Sequence, residues 1–204
     1  MTTNRTLVIV AHPNLAKSRA NAAWLAAIEG LDNVTIHDLY KTYPDLTIDA
    51  EREQQLLRKH DTVVFQFPVH WYSVTPLLKA WFDAVLTYGF AFAFDGTVSA
   101  LKGKKAWLAV TVGSSLADYT AEGPARRPLD EYLVPVAQSL EFCSLDYQGA
   151  HGFYGMMFNP SDEDLALSAK EYARLIATNE TPANRRLTNV ARLGVVHVRE
   201  TVVG

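Results

Sequence analysis

The sequence predicts an α/β protein whose parallel sheet is covered by helices on both faces. Short runs rich in β-branched residues alternate with longer stretches of helical periodicity, which is the pattern of successive βαβ units. The central runs are apolar throughout, as in Leu7-Val8-Ile9-Val10, and this is typical of strands buried on both faces. Of the 204 residues, 49% are hydrophobic and 20% are charged, so the chain can form one domain with a sizeable core.

Five strands are predicted, each from a short run of β-branched and other apolar residues. Residues 6–11 and 62–67 form the central apolar runs of the pattern. The runs at 34–38 and 106–112 complete the first four strands, and a weaker strand is expected at 144–147.

Five helices are predicted to follow these strands, because apolar side chains recur there at helical spacing. The predicted helices are Ser18 to Ile28, which is closed by Gly30, and residues 51–59, 76–86, 128–140 and 162–177. The third and fourth helices each carry one apolar stripe, formed by Leu77, Leu78, Trp81, Phe82, Val85 and Leu86, and by Leu129, Tyr132, Leu133, Val136 and Leu140. Stripes of this kind usually pack in a core, so we expect both helices to cover the sheet.

The last stretch of the sequence breaks the alternation. We divide the chain into an α/β domain at 1–181 and a basic extension at 182–204. The extension has one glutamate and a β-prone segment, Val195-Val196-His197-Val198, and its four arginines are Arg185, Arg186, Arg192 and Arg199. It is interpreted either as a solvated arm or as an arm that packs on a partner subunit.

The overall charge of the chain is close to balanced. The chain has 19 Lys and Arg against 22 Asp and Glu, which gives a formal net charge of −3 and a pI near 6.1. This balance offers no overall electrostatic footprint for nucleic acid or for an anionic membrane, so partners are expected at a local site. The first apolar run, Leu7 to Ala11, is too short for a signal peptide or a membrane-spanning helix, so we predict a soluble, cytoplasmic protein.

The sequence offers few residues for disulfide, metal or common catalytic chemistry. The one cysteine, Cys143, allows neither an intramolecular disulfide nor a multi-cysteine metal site, and it is expected to be a small buried hydrophobe. His70 has no second histidine or carboxylate at a ligand spacing, so no metal site is predicted. The signatures G-x-G-x-x-G, G-x-x-x-x-G-K-[ST], G-x-S-x-G and H-E-x-x-H are missing from the sequence.

In a doubly wound sheet, ligands bind outside the carboxyl ends of the strands, so the loops after strands one, three and four are the candidates. The first of these loops runs from His12 into a helix that begins near Ser18. A helix N-terminus offers unpaired N–H groups and a partial positive charge, which suit a phosphate. Ser18 and Asn21 could add side-chain donors, and His12, Lys17 or Arg19 could add charge; the alternative is an ordinary N-cap at Ser18.

The loops after strands three and four point to a planar ligand. Trp71 and Tyr72 are adjacent aromatics in a turn between two prolines, and they either stack on a planar ring or fold onto the sheet. The backbone of such a turn could read the polar edge of the ring. After the fourth strand, Thr111-Val112-Gly113-Ser114 provides small residues that permit close backbone approach.

Three segments together resemble the flavodoxin-like NAD(P)H:quinone oxidoreductases. The closest likeness is to the ancillary oxidoreductases of glutathione-regulated potassium efflux systems, and the DT-diaphorase group is more distant. The resemblance covers roughly residues 5–177 and depends on 12–21, on the Trp-Tyr-Ser-x-x-Pro-Leu-Leu-Lys-x-Trp-x-Asp segment at 71–83, and on 111–119.

The resemblance implies a three-layer sandwich with a five-stranded parallel sheet of order 2-1-3-4-5, and a flavin held by three loops. The implied flavin-binding residues are His12, Ser18, Arg19, Ala20 and Asn21 at the phosphate, Pro68, Val69, His70, Trp71 and Tyr72 along the ring, and Thr111, Val112, Gly113 and Ser114 at its polar end. Tyr119 matches the family tyrosine near the reacting ring and is the catalytic candidate, either as a proton relay or as a residue that orients the substrate.

The resemblance also implies an activity and an assembly. Members of the family transfer a hydride from NAD(P)H to bound flavin and then pass two electrons to a quinone in the same pocket, with ping-pong kinetics. They are generally homodimers whose active sites lie at the subunit boundary. Two departures bear on substrate preference: Ala125 replaces the histidine of the DT-diaphorase pattern, and Val112 and Ser114 replace the second threonine and second glycine of the usual Thr-Thr-Gly-Gly.

Two other functions remain open from the sequence. The chain could be a redox-sensing regulatory subunit of a membrane potassium-efflux transporter, because a docking surface leaves no motif. It could also be a flavodoxin-type electron carrier, although such carriers commonly have a more acidic surface. FMN is the expected flavin and FAD is the alternative, because the sequence does not decide between them. The sequence also does not distinguish NADH from NADPH.

Overall fold

The computed structural model describes residues 4–182 and 195–198. The strands in this part are β1 (Thr6–Val10), β2 (Val34–Asp38), β3 (Thr62–Pro68), β4 (Lys105–Thr111), β5 (Asp146–Phe153) and β6 (Val195–Val198). The α-helices are α1 (Arg19–Ile28), α2 (Leu39–Thr42), α3 (Ala50–Lys59), α4 (Pro76–Val85), α5 (Leu129–Phe142) and α6 (Asp162–Ala177).

The six strands form one sheet in the order β2-β1-β3-β4-β5-β6. Strands β1 to β5 are parallel, which confirms the predicted order 2-1-3-4-5. The fifth strand lies later than the predicted 144–147: it begins at Asp146 and continues to Phe153, with a register irregularity opposite Ala106 and Leu108. The loop that follows it is therefore displaced toward the carboxyl edge of the sheet.

The sixth strand was not predicted as part of this sheet. Val195–Val198 pairs antiparallel with β5, so this segment adds an edge strand to the chain's own sheet and does not extend as a solvated arm. Residues 183–194 and 199–204, with all four arginines of the predicted basic extension, lie outside the described residues. The division of the chain at 181/182 stays a prediction.

The sheet is covered on both faces. On one face α1 and α6 pack against the sheet around Trp24, Trp107 and Tyr172. On the other face the larger layer contains the apolar stripes of α4 and α5, which confirms that these stripes are core. Cys143 is buried in this layer, as predicted, and burial raises the pKa of its thiol.

The short helix α2 was missed by the sequence analysis. Asp38 caps it at the end of β2, where its carboxylate accepts a hydrogen bond from the backbone N–H of Lys41 at 3.2 Å. One turn of helix has too few residues to show an apolar period, so only the cap could have indicated it. No helix in the described part of the chain is both long enough and apolar enough to cross a membrane.

Candidate functional site

A cavity of about 370 Å³ opens at the carboxyl ends of β1, β3 and β4, where the sequence analysis placed the three ligand loops. Each of the three loops contributes to its wall. The lining residues are His12, Lys17, Ser18, Arg19, Pro68, Val69, His70, Thr111, Val112, Gly113, Met156 and Asn159. The structure therefore brings together nine of the fifteen predicted site residues around one cavity.

The beginning of α1 provides hydrogen-bond donors at this cavity. Ser18 is the N-cap, and its Oγ accepts the backbone N–H of Asn21 at 3.3 Å. As the first two residues of the helix, Arg19 and Ala20 have no intrahelical acceptor for their own N–H groups. Ala20 is buried, so its contribution to a ligand is limited to its backbone. Two N–H groups and the positive end of the helix suit an anion.

His12 contributes a neutral imidazole to this wall. Its Nδ1 accepts a hydrogen bond from the backbone N–H of Asn14 at 3.0 Å, so in the neutral ring the proton is assigned to Nε2. Burial lowers the pKa of His12, and nearby His70 lowers it further, whereas Asp38 acts in the opposite direction. His12 is therefore suited to donate a hydrogen bond near neutral pH without carrying a charge.

The Arg19 guanidinium is held by the turn between β5 and α6. Its Nη1 donates to Asn159 Oδ1 at 2.6 Å and to the carbonyl of Pro160 at 2.9 Å, and Nη2 forms an ion pair with Asp162 at 2.6 Å. The side chain thus connects the start of α1 with the start of α6. Arg19 lines the cavity, but in this arrangement its charge is engaged by Asp162.

Asn21 is placed differently from the donor expected at the phosphate. It is fully buried and does not line the cavity. Its Nδ2 donates to Ser18 Oγ at 3.1 Å and to Thr111 Oγ1 at 3.0 Å, and both acceptors are cavity residues. Asn21 therefore contacts the groups that line the cavity rather than the cavity itself.

The end of β3 and the turn that follows it contribute to the cavity through some of the predicted residues only. Pro68, Val69 and His70 line the cavity, and the Val69 N–H donates to the carbonyl of Thr111 at 2.8 Å. Trp71 and Tyr72 both have positive φ, at 49° and 63°, in a turn that is closed by paired backbone hydrogen bonds between the residues on either side. Neither Trp71 nor Tyr72 is among the residues that line the cavity.

The two aromatic rings have different surroundings. Trp71 is 93% exposed. The Tyr72 ring stacks on Tyr132 of α5, with 4.6 Å between centroids. The Tyr72 side chain is also exposed, and neither ring lines the cavity.

The loop after β4 is held by the turn that follows β5. Three N–H groups of that turn, from residues 155, 156 and 157, donate to the carbonyls of Ser114, Val112 and Gly113 at 2.8, 3.1 and 2.9 Å. A Cβ on Gly113 would meet Met157 Cγ at 3.0 Å, so a larger residue here would require this exposed side chain to move. Ser114 itself lies outside the lining.

Met156 and Asn159 are cavity residues that the sequence analysis missed. They follow β5, whose carboxyl end reaches the same edge as β3 and β4. The predicted fifth strand ended at residue 147, so the sequence analysis did not place this turn next to the end of a strand. The available signal was Gly155 and Asn159, both of which adopt left-handed backbone conformations in the turn.

Tyr119 lies in a cluster of tyrosines and is not among the residues that line the cavity. Its ring centroid is 6.2 Å from that of Tyr72, 6.0 Å from Tyr132 and 5.8 Å from Tyr154. Burial raises the pKa of Tyr119, and the nearby Tyr72, Tyr132 and Asp118 add to the effect. The phenol therefore keeps its proton at neutral pH and can act as a hydrogen-bond donor.

Comparison with known families agrees with this architecture. The model of the family described as having a flavodoxin-like fold matches residues 4–176. The chain belongs to this family. The matched region ends within α6, so it includes the whole cavity and leaves out β6.

Among solved structures, this flavodoxin-like protein is similar to general stress protein 14 from Treponema denticola in complex with FMN. The two chains are 38% identical, with a TM-score of 0.78, and the match covers 85% of this chain and 98% of the other. It is also similar to an NADPH-quinone reductase from P. pentosaceus, with 31% identity, a TM-score of 0.71 and coverage of 83% and 97%. A curated relative is the glutathione-regulated potassium-efflux system ancillary protein KefG of Cronobacter sakazakii, which is 38% identical over 88% of this chain and 96% of its own length.

Proposed function

We propose that this flavodoxin-like protein is an FMN-dependent NAD(P)H:quinone oxidoreductase. The observation that carries the proposal is the donor set at the beginning of α1, which opens into a cavity at the carboxyl edge of the sheet. The helix N–H groups, the Ser18 hydroxyl and the Lys17 ammonium match the phosphate of FMN in charge and hydrogen bonding. The FMN complex and the quinone reductase among its relatives support this assignment.

In this proposal the chain's residues bind and orient the cofactor and both substrates. When bound, FMN supplies the redox chemistry, accepting a hydride from NAD(P)H and passing two electrons to a quinone. The backbone of Val69, His70, Val112 and Gly113 would hold the ring, since these residues border the cavity next to the phosphate donors. The two substrates would occupy the same face in turn, which gives ping-pong kinetics.

Within this mechanism Tyr119 is the proposed catalytic residue. Its raised pKa keeps it protonated, so it would donate its O–H to an oxygen of the quinone and orient that substrate. The Tyr119 side chain is buried, and the rings of Tyr72 and Tyr132 lie next to it.

We further propose that the protein works as a cytoplasmic homodimer. An exposed aromatic patch supports an association surface: Tyr88, Phe94 and Phe142 are 57%, 80% and 55% exposed, and their rings lie within about 6 Å of one another or of Phe92. A cavity of about 510 Å³ adjoins Phe92 and Phe142 between α4 and α5. Exposed aromatic clusters of this kind commonly mark protein–protein contacts.

The proposed activity is tested by reconstitution with FMN followed by absorbance spectroscopy. The FMN-loaded protein should be yellow, NADH or NADPH should bleach the flavin bands in the absence of oxygen, and a benzoquinone should restore them. FAD serves as the matched comparison, since it carries the same ring without a terminal phosphate. A protein that takes up neither flavin, or whose bound flavin is not reduced by either nicotinamide, would contradict the proposal.

The relative KefG favours a second candidate, a redox-sensing regulatory subunit of a potassium-efflux transporter. This function would use the same flavin site and add a docking surface for the transporter. It is tested by measuring potassium efflux from cells that contain the transporter, with and without this protein. Efflux that does not depend on the protein would exclude this role and leave the enzyme activity unaffected.

A further inference from the structure

A chain of buried hydrogen bonds runs from α6 to the cavity. The Tyr172 hydroxyl donates to Gln66 Oε1 at 2.8 Å, and Gln66 Nε2 donates to Asn21 Oδ1 at 3.1 Å. Asn21 Nδ2 then donates to Ser18 Oγ and Thr111 Oγ1. Tyr172, Gln66 and Asn21 are each 0% exposed, so water cannot replace these partners.

The direction of this chain is determined by a backbone carbonyl. Gln66 Nε2 also lies 3.2 Å from the carbonyl oxygen of Asn21, which can only accept, so the amide nitrogen of Gln66 must face Asn21. The side-chain oxygen of Asn21 must then face Gln66 Nε2. This leaves Asn21 Nδ2, a group that can only donate, directed at both hydroxyls.

The consequence concerns the two hydroxyl groups at the cavity wall. Because the oxygens of Ser18 and Thr111 both accept from Asn21, each hydroxyl has its own proton left to donate. Both residues line the cavity. The buried chain thus favours a wall that presents O–H donors, which stabilises an anion and disfavours a ligand whose own donors point at these oxygens.

We infer that Asn21, Gln66 and Tyr172 are positioning residues that orient the Ser18 and Thr111 hydroxyls as donors toward the phosphate of the flavin. The inference rests on the proposed function, because it concerns the phosphate of the same bound cofactor. The residues that contact the ligand in this arrangement are Ser18 and Thr111, whereas the orienting groups extend to the middle of β3 and to α6.

The test compares the affinities for FMN and riboflavin, which share the ring and differ in the phosphate. Gln66→Met removes the amide that orients Asn21 without adding charge. We expect the FMN affinity to fall about tenfold, since one or more hydrogen bonds to a charged group are lost, with little change for riboflavin. Flavin fluorescence quenching measures both dissociation constants in the wild type and the variant.

Tyr172→Phe provides a milder variant in case Gln66→Met does not fold. It removes only the hydroxyl at the far end of the chain and keeps the ring stacked on Trp24. The preference for FMN over riboflavin should fall about threefold, within the range for one neutral hydrogen bond. The matched control is Ser168→Ala, which removes a buried hydrogen bond to Trp24 Nε1 of 2.9 Å in the same layer; it should leave the preference unchanged.

The outcomes separate this inference from the proposed function. A wild-type protein that binds no flavin overturns the proposed function. A wild type that binds FMN no better than riboflavin overturns the inference alone. Folded variants that lose affinity for both flavins equally, or for neither, also overturn it, because a merely structural role would not distinguish the phosphate.

Discussion

Gly123 shows at the scale of single residues why the loop around Tyr119 needs a particular sequence. A Cβ at this position would lie 2.4 Å from the carbonyl oxygen of Asp118 and 2.6 Å from that of Ala117, distances that real Cβ atoms do not adopt. The N–H of Ala125 donates to the same Asp118 oxygen at 3.0 Å, which closes the loop. The glycine therefore permits the close backbone approach that holds Tyr119 against Tyr72 and Tyr132.

Tyr119→Phe tests the proposed role of this residue. The variant keeps the ring contacts and loses the O–H, so we expect the rate of quinone reduction to fall about tenfold while FMN reduction by NAD(P)H keeps its rate. Rapid-mixing measurements of the two half-reactions separate these effects. Tyr147→Phe is the control, because Tyr147 is a partly buried tyrosine of β5 outside the site. An unaltered rate of quinone reduction would contradict the proposed catalytic role of Tyr119.

The site residues differ in how far the sequence could predict them. His12, Ser18 and the segments 68–70 and 111–113 line the cavity, and the sequence could place them there because each lies at or just after the end of a strand or at the start of the helix that follows. The inward direction of Asn21 could not be predicted, since it depends on Gln66 and Thr111, which lie 45 and 90 residues away along the chain. A side chain at such a position turns toward the buried polar group with which it can form a hydrogen bond.

At the scale of secondary-structure elements, one buried carboxylate connects four parts of the fold. Glu53 of α3 is 0% exposed and accepts hydrogen bonds from His37 Nε2 in β2 at 2.8 Å, from the Tyr43 hydroxyl after α2 at 2.5 Å and from Trp81 Nε1 in α4 at 2.8 Å. Burial alone would raise the pKa of Glu53, but these three hydrogen bonds outweigh burial and lower it. The network therefore stabilises the ionised carboxylate.

Glu53→Gln should destabilise the fold by about 2–4 kcal/mol, because the amide nitrogen cannot accept and one of the three donors loses its partner. Urea unfolding at neutral pH measures the loss. Glu51→Gln is the matched control, since Glu51 is an exposed carboxylate in the first turn of the same helix and its replacement should change stability little. Equal stabilities for the wild type and Glu53→Gln would show that the network contributes nothing.

The same carboxylate predicts a pH dependence. Because the pKa of Glu53 in the folded state lies below its ordinary value of 4.5, the unfolded chain binds a proton more readily than the folded one. The stabilisation is complete above about pH 4.5 and is lost as the pH falls through the folded-state pKa. Glu53→Gln should therefore show a shallower loss of unfolding free energy in acid than the wild type.

Among the elements, β5 was the one that the sequence misplaced. Its sequence, Asp146–Phe153, contains two glycines and the polar residues Gln148 and His151, so neither alternation nor an apolar run marks it. It is a strand because β4 on one side and β6 on the other supply hydrogen-bond partners. Strand formation of this kind depends on pairing more than on the residues themselves.

At the scale of the whole molecule, the proposed homodimer is expected to form through an exposed aromatic patch. The patch consists of Tyr88, Phe92, Phe94 and Phe142. Phe94→Asp places a charge on the most exposed of these rings and should weaken the proposed dimer at least tenfold, because a buried unpaired carboxylate is costly at an interface. Sedimentation velocity across a dilution series measures the change. Leu167→Asp, at an exposed apolar position of α6, is the control and should leave the association unchanged.

A wild type that sediments as a monomer at all concentrations would contradict the dimer proposal. A dimer that Phe94→Asp leaves intact would instead move the interface away from this patch.

The sequence by itself determined the alternation of strands and helices, the parallel sheet, the core stripes of α4 and α5, and the edge of the sheet at which the cavity opens. These features follow from the spacing of apolar residues and from the order of the elements along the chain, both of which can be taken directly from the sequence. The tertiary structure decided that Tyr72 stacks on Tyr132, that Arg19 connects α1 to the turn before α6, and that Asn21 turns inward. These choices depend on partners brought together by folding, because buried rings must pack and buried polar groups must find hydrogen bonds.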